Sequence, residues 1–188
     1  SSNQRKLISQ LDKKKYRLEK NLFVAEGKKV VYELIKSDWP FKNLFSTEED
    51  FHPDVELLTS SEMKKITKFK TPSQALGVFV LPEPQKILSE PITIGVDGIS
   101  DPGNLGTIIR LCDWFGISEL ICSKNTVDCF NAKVIQASMG SIARVKCHYV
   151  TDLGEVLTKM QKPIYGATIH GDSISVSYTH LRAHETFA

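Results

Sequence analysis

Residues 92–116 read ITIGVDGISDPGNLGTIIRLCDWFG. Ile92 to Val96 is a short apolar run rich in β-branched residues, which predicts a buried strand. Gly98 to Gly103 supplies glycine, serine, aspartate and proline, the residues of a loop. From Asn104 the apolar residues at 105, 108, 109, 112 and 115 fall on one face of a helix. Asn104 is the expected N-cap and Gly116 the expected stop. A strand that runs through a polar loop into a helix is where an α/β protein places a ligand. Gly106, Arg110 and Asp113 form a second, narrower stripe on this helix. Spacing leaves two readings of Arg110: an exposed ion pair with Asp113, contributing little, or a cation that grips a phosphate or a developing oxyanion beside the loop.

Downstream the pattern repeats. Residues 118–123 read as a strand, 124–131 as a polar loop, and 132–139 as a helix stopped by Gly140. Residues 142–149 predict a strand, 153–160 a helix and 164–169 a further strand. Strands alternating with helices imply a parallel sheet covered on both faces. Upstream, Pro82, Pro84 and Pro91 remove backbone donors and stiffen the chain, as in a linker between domains.

Before the prolines, residues 2–19 predict a basic amphipathic helix with Leu7, Ile8, Leu11 and Leu18. Residues 22–25 read as a strand, and Val30, Val31, Leu34 and Ile35 mark the buried side of a helix ending near Ser37. Further strands are expected at Leu44-Phe45, 55–59 and 75–81. Thr59 and Glu62 have capping-box spacing and open a helix through Ile66. This order makes a small α/β unit. The expected organisation is residues 1–85 as one domain, 86–91 as linker, 92–172 as a second domain and 173–188 as a tail.

A chain of 188 residues, 41% hydrophobic and 24% charged, has an ordinary globular composition. No apolar run approaches the ~18 residues of a membrane span, and SSNQRKLISQ has no apolar signal core, so a cytoplasmic protein is expected. Cys112, Cys122, Cys129 and Cys147 lack C-x-x-C spacing, which argues for buried reduced thiols rather than zinc or disulfides. Net charge is +2 but uneven: residues 1–70 carry 15 Lys/Arg against 11 Asp/Glu, and the first twenty carry seven against two. That points to a polyanionic partner. Lys13, Lys14, Lys15 and Arg17 are placed to touch phosphates; the alternative is a solvated helix face. Lys28 and Arg144 join them as candidate contacts to that polyanion.

DPGNLGTIIRLCDWFG resembles the first signature motif of the SpoU/TrmH family of RNA ribose 2′-O-methyltransferases, in the SPOUT group. The likeness runs through Asp101, Pro102, Gly103, Asn104, Gly106, Arg110, Phe115 and Gly116. It implies Asn104 and Arg110 as the catalytic pair and a trefoil-knot parallel-sheet domain. It also implies S-adenosyl-L-methionine as cofactor, rRNA or tRNA as substrate, and a homodimer in which Arg110 acts in trans. NAKVIQASMGSIARV resembles the second motif, with Ser138, Gly140 and Ser141 near the site. KKYRLEKNLFVAEGKKVVYELI and KTPSQALGVF resemble the family's N-terminal substrate-binding domain. In the implied reaction a ribose hydroxyl attacks a methyl sulfonium, and a cationic, forked guanidinium suits the developing alkoxide. Asn104 fixes the loop and contacts ribose or Arg110.

The resemblance stops before the third motif, whose Glu-x-Gly and Ser-Leu-Asn loops build most of the cofactor pocket. The chain instead runs HGDSISVSYTHLRAHETFA, in which SYTHLRAHET resembles translated adaptor sequence. The expectation is an incomplete second domain and a foreign or disordered tail, with Thr168 and Gly171 lining what remains of the cofactor pocket, so that this chain alone is expected to bind cofactor negligibly and to be inactive. His180 and His184 are four apart, without a third ligand, so no metal site is expected. Residues 97–103 do not fit the glycine-rich loop of a Rossmann methyltransferase. A noncatalytic RNA-binding protein is the competing reading, and an α/β enzyme binding phosphate at the helix after Asn104 is a third.

Overall fold

The computed structural model describes residues 2–88 and 91–167. In the first unit the β-branched and aromatic runs pair into a mixed sheet, as side chains suited to a pleated, half-buried surface do. β1 (Leu22–Glu26) and β2 (Phe41–Ser46) flank β4 (Ala75–Val80), both antiparallel to it, and β3 (Val55–Leu57) joins β2 in parallel. Alternation along β1 separates two cores. Leu22 and Val24 pack with Ile8 of α1 (Ser2–Gln10), with Leu11, and with Met63 and Ile66 of α4 (Ser60–Ile66). Phe23 and Ala25 face the other way, toward Val30, Val31 and Leu34 of α3 (Lys28–Lys36).

In the second unit β5 (Ile94–Val96), β6 (Glu119–Ser123) and β7 (Lys146–Val150) form a parallel sheet in that order. β6 is buried at every residue, as the middle strand of a sheet covered on both faces must be. One cover is α5 (Pro102–Trp114) with α6 (Ala132–Ala137); Leu105, Ile109, Val134 and Ile135 are wholly buried there. The other is α7 (Leu153–Lys159), whose Leu153 and Leu157 lie over Gly95.

The two units share one apolar core rather than merely touching. Phe130 packs on Phe23, with ring centroids 4.8 Å apart, and meets the edge of Trp39 at 6.4 Å. Gly140 allows α3 to approach: a Cβ there would stand 2.6 Å from Cβ of Glu33. Its backbone is left-handed, φ +98°, a second reason for glycine.

Several expected elements differ. The helix expected over 2–19 is two helices, α1 and α2 (Lys14–Lys20). The break at Leu11 and Asp12 leaves carbonyls that the buried Arg17 guanidinium takes, at 2.9 and 2.8 Å. The strand expected over 142–149 begins at Lys146, because Ser141–Ala143 is a 3-10 turn. There Met139 (φ +53°) and Gly140 reverse the chain, and the buried Ser138 hydroxyl donates to the Ile135 carbonyl. Residues 164–167 carry no regular secondary structure, and the remainder of that expected strand lies outside the described residues. By contrast, the capping box at Thr59 and Glu62 is present with both of its bonds.

Candidate active site

Val96 ends β5, and the chain turns at Gly98 (φ +62°), whose N–H donates to Ser123 Oγ at 2.9 Å. The Ile99 carbonyl accepts from Val127 N at 2.7 Å. The loop after β5 is thus tied to the loop after β6, at the carboxyl ends of parallel strands where α/β sheets bind ligands.

Asp101, not Asn104, caps α5. Its Oδ1 accepts the Asn104 N–H at 2.8 Å, and Pro102 fills the first helical position, where a missing N–H costs nothing. Asn104 therefore lies in the first turn with its side chain exposed. Leu105, Gly106, Ile109 and Cys112 are buried. Asn104, Thr107, Arg110, Leu111 and Trp114 occupy the opposite, exposed face. Asn104 and Arg110 share the i, i+3 ridge through Thr107 and stand about 9 Å apart along the axis. Gly106 does not share their face: a Cβ on it would lie 2.4 Å from Cβ of Ala137.

Of the two readings of Arg110, the ion pair with Asp113 is not formed. Asp113 belongs to Arg144, whose Nε and Nη2 donate to its two oxygens at 2.8 and 2.7 Å, while Nη1 donates to Glu33 at 2.7 Å. Those bonds hold the Asp113 carboxyl below the usual range and the Arg144 guanidinium above its own. Arg110 is left exposed, and no acidic side chain lies within ion-pair distance of it among the described residues.

The structure also sorts the candidate RNA contacts. Arg17 is 4% exposed and bonded to Asp128 at 2.6 Å across the two units, so it is a structural cation and not a phosphate contact. Arg144 is likewise committed to carboxylates. Lys14 lies over the Tyr149 ring at 5.4 Å, and Lys28 pairs with Glu48 at 2.5 Å. Lys13 and Lys15 are exposed. Asp128 and Glu33 lie 111 residues from Arg17 and Arg144 in sequence, and Asp113 lies 31 from Arg144, separations that no local spacing signals.

Cys112, Cys122 and Cys129 are buried and Cys147 nearly so, all as free thiols. Burial pushes Cys112 up to about 11. Among the described residues no group of side chains could hold a metal ion, and no helix is long and apolar enough to cross a membrane. Thr168 and Gly171, like His180 and His184, lie outside the described residues. The loop around Asp97 and Gly98 is exposed, with open space at Gly98.

Residues 91–186 match the family model described as the SpoU rRNA Methylase family, and residues 3–77 match the MRM3-like substrate binding domain. The chain is 29% identical to the 23S rRNA (guanosine(2553)-2′-O)-methyltransferase RlmP of Bacillus subtilis, over 95% of its own length and 74% of the relative's. A TrmH-family protein of Porphyromonas gingivalis superposes with a TM-score of 0.81 at 34% identity, over 94% of this chain and 74% of the other. An AdoMet-bound rRNA methyltransferase from Sinorhizobium meliloti gives 0.72 at 29% identity, over 84% of this chain and 64% of the other. The chain spans only 38% of the length of some mitochondrial relatives that it matches.

Proposed function

The chain belongs to the SpoU rRNA methylase family, and on that premise we propose that it serves methyl transfer to a ribose 2′-hydroxyl of ribosomal RNA, with Arg110 and Asn104 as the catalytic pair. Ribosomal rather than transfer RNA is favoured by what its relatives are named for, and the likeness to the Bacillus subtilis enzyme supports a cytoplasmic location. S-adenosyl-L-methionine supplies the methyl group as an electrophilic sulfonium.

The observation that carries this reading is the uncommitted guanidinium of Arg110 on the exposed face of α5. A ribose hydroxyl is a weak nucleophile until its proton is leaving. A fixed cation beside the oxygen stabilises the alkoxide as it develops, and its fork also holds the adjoining phosphate. Arg144 keeps Asp113 occupied, so no carboxylate one turn away neutralises Arg110. Asn104, two ridge positions away, orients the ribose.

The same face of α5 exposes Trp114 at 84% and Leu111 at 50%, and Phe115, expected on the buried face but placed at the helix cap, is 72% exposed beside them. A large apolar patch beside a charged site fits a second copy of the chain, with Arg110 of one copy completing the site of the other. Arg110→Ala in a catalytically active form is expected to lower methylation of rRNA by about 100-fold or more, the scale of losing one oxyanion donor. Cofactor affinity should stay within a few-fold. Equal loss of both would reassign Arg110 to folding.

A further inference from the structure

A cavity of about 250 Å3 lies in the first unit between α1, β3 and α4, on elements separate from the α5 site. Its floor is apolar, formed by Ile8, Phe45 and Ile66, and its rim carries Arg5, Lys65 and Glu56. Glu62 joins Glu56 at the rim, so two carboxylates offset the two cations. A bare anion gains little from such a rim, and an RNA backbone would not bury phosphates against an apolar floor. A flat ligand with apolar faces and hydrogen-bonding edges fits both features. That is a nucleobase, and sequence-specific RNA recognition works on bases splayed out of the stack.

Cations stand ready outside the cavity. Lys68 and Lys70 are exposed on the segment after α4, and Lys68 Nζ reaches Ser9 Oγ of α1 at 3.3 Å. This segment is pinned from beneath by Glu26, a buried carboxylate at the end of β1. Glu26 accepts from the Thr67 hydroxyl, from Lys68 N at 3.1 Å and from Ser73 N at 3.5 Å. Backbone fixed in this way loses less entropy when it meets a ligand.

From these features we infer that the cavity between α1, β3 and α4 receives an unstacked base of the RNA, its hydrogen-bonding edge met by the rim side chains Arg5 and Lys65, with a neighbouring phosphate on Lys68. The inference rests on the RNA-methylation reading and assigns its RNA a contact point in the first unit.

The test is fluorescence anisotropy of this chain at fixed salt, with a labelled RNA hairpin carrying an unpaired purine loop and with its stem as an uninterrupted duplex. The wild type should prefer the hairpin. Leu58 also lines the cavity; Leu58→Trp, which fills it, and the pair Arg5→Ala/Lys65→Ala should each weaken hairpin binding about tenfold, equivalent to about 1.4 kcal/mol, with little change for the duplex. Thermal melting checks folding; if Leu58→Trp does not fold, the surface pair decides. Unchanged hairpin affinity in the folded variants, or equal hairpin and duplex binding by the wild type, overturns the inference alone. A wild type that binds neither RNA overturns it together with the proposed substrate. Methylation lost through Arg110→Ala bears on the α5 site only.

Discussion

Arg144 does at the residue scale what Arg110 does not: it spends its whole fork on carboxylates. Two of its nitrogens hold Asp113 and the third holds Glu33 of the other unit. Its side chain is 45% exposed, so solvent screens the pairs and their worth is about 1 kcal/mol or less each. Because Asp113 is held below the usual carboxylate range, its contribution is fully present above the unfolded value, about 3.9. It disappears as pH falls through the lower folded value. Urea unfolding should therefore show Arg144→Met less stable than wild type at pH 6, with the gap closing toward pH 2. A constant gap would mean that Arg144 acts through packing. The thiols give a second residue-scale prediction. With Cys112 pushed up to about 11 by burial, folded chain at neutral pH should resist a thiol reagent, and denatured chain should react at all 4 cysteines. The burial of these thiols was legible from their spacing. The fate of Arg17 was not: within its own helix it looks like any basic surface residue, and only Asp128, distant in sequence, draws it inside.

At the scale of elements, what could be read was what local chemistry decides. The period of α5 from Leu105 to Cys112, the capping box of α4 and the strand at β1 all depend on near neighbours, and all are present; Phe115, expected on the buried face, falls past the helix end and is exposed. Where tertiary contacts decide, the reading slipped. The break between α1 and α2 is stabilised by Arg17 from the following helix, and the turn at 139–143 is shaped by the approach of α3 to Gly140. The cap of α5 slipped for another reason: Asp101-Pro102 and Asn104 are both good start signals, and Pro102 at the first helical position decides between them. Gly106 shows how close α5 and α6 run. An added methyl would meet Ala137 Cβ at 2.4 Å and the Ser138 backbone at 2.9 Å. Neither is the far end of a flexible side chain, so Gly106→Ala should force the helices apart and cost about 1–3 kcal/mol, despite alanine's better helix propensity. Denaturant melts measure it, and an unchanged or raised midpoint would show that the helices separate freely.

At the scale of the whole molecule, the inter-unit interface and the α5 face make opposite demands. The interface is finished. Arg17 is buried against Asp128, Phe130 sits on Phe23, and Arg144 bridges to Glu33. Removing one partner of the buried pair by Arg17→Ala strands Asp128 and should cost about 3–5 kcal/mol, whereas Arg17→Met with Asp128→Leu should recover most of it. The α5 face is unfinished: Trp114, Phe115 and Leu111 hold large apolar surfaces in water one helical turn from Arg110. If a second copy covers this face, Trp114→Glu places a charge in the contact, and burying it unpaired costs several kcal/mol. Sedimentation should then show the wild type as a dimer and Trp114→Glu as a monomer with the same melting behaviour below the dimer's concentration range. In an active form the variant should lose methylation along with association. Mixing it with Arg110→Ala should restore little, because neither chain brings both an intact contact face and an intact guanidinium. A wild type that is active as a monomer would place the complete site within one chain and leave Arg110 to act in cis, and a Trp114→Glu dimer of normal activity would put the contact on another face.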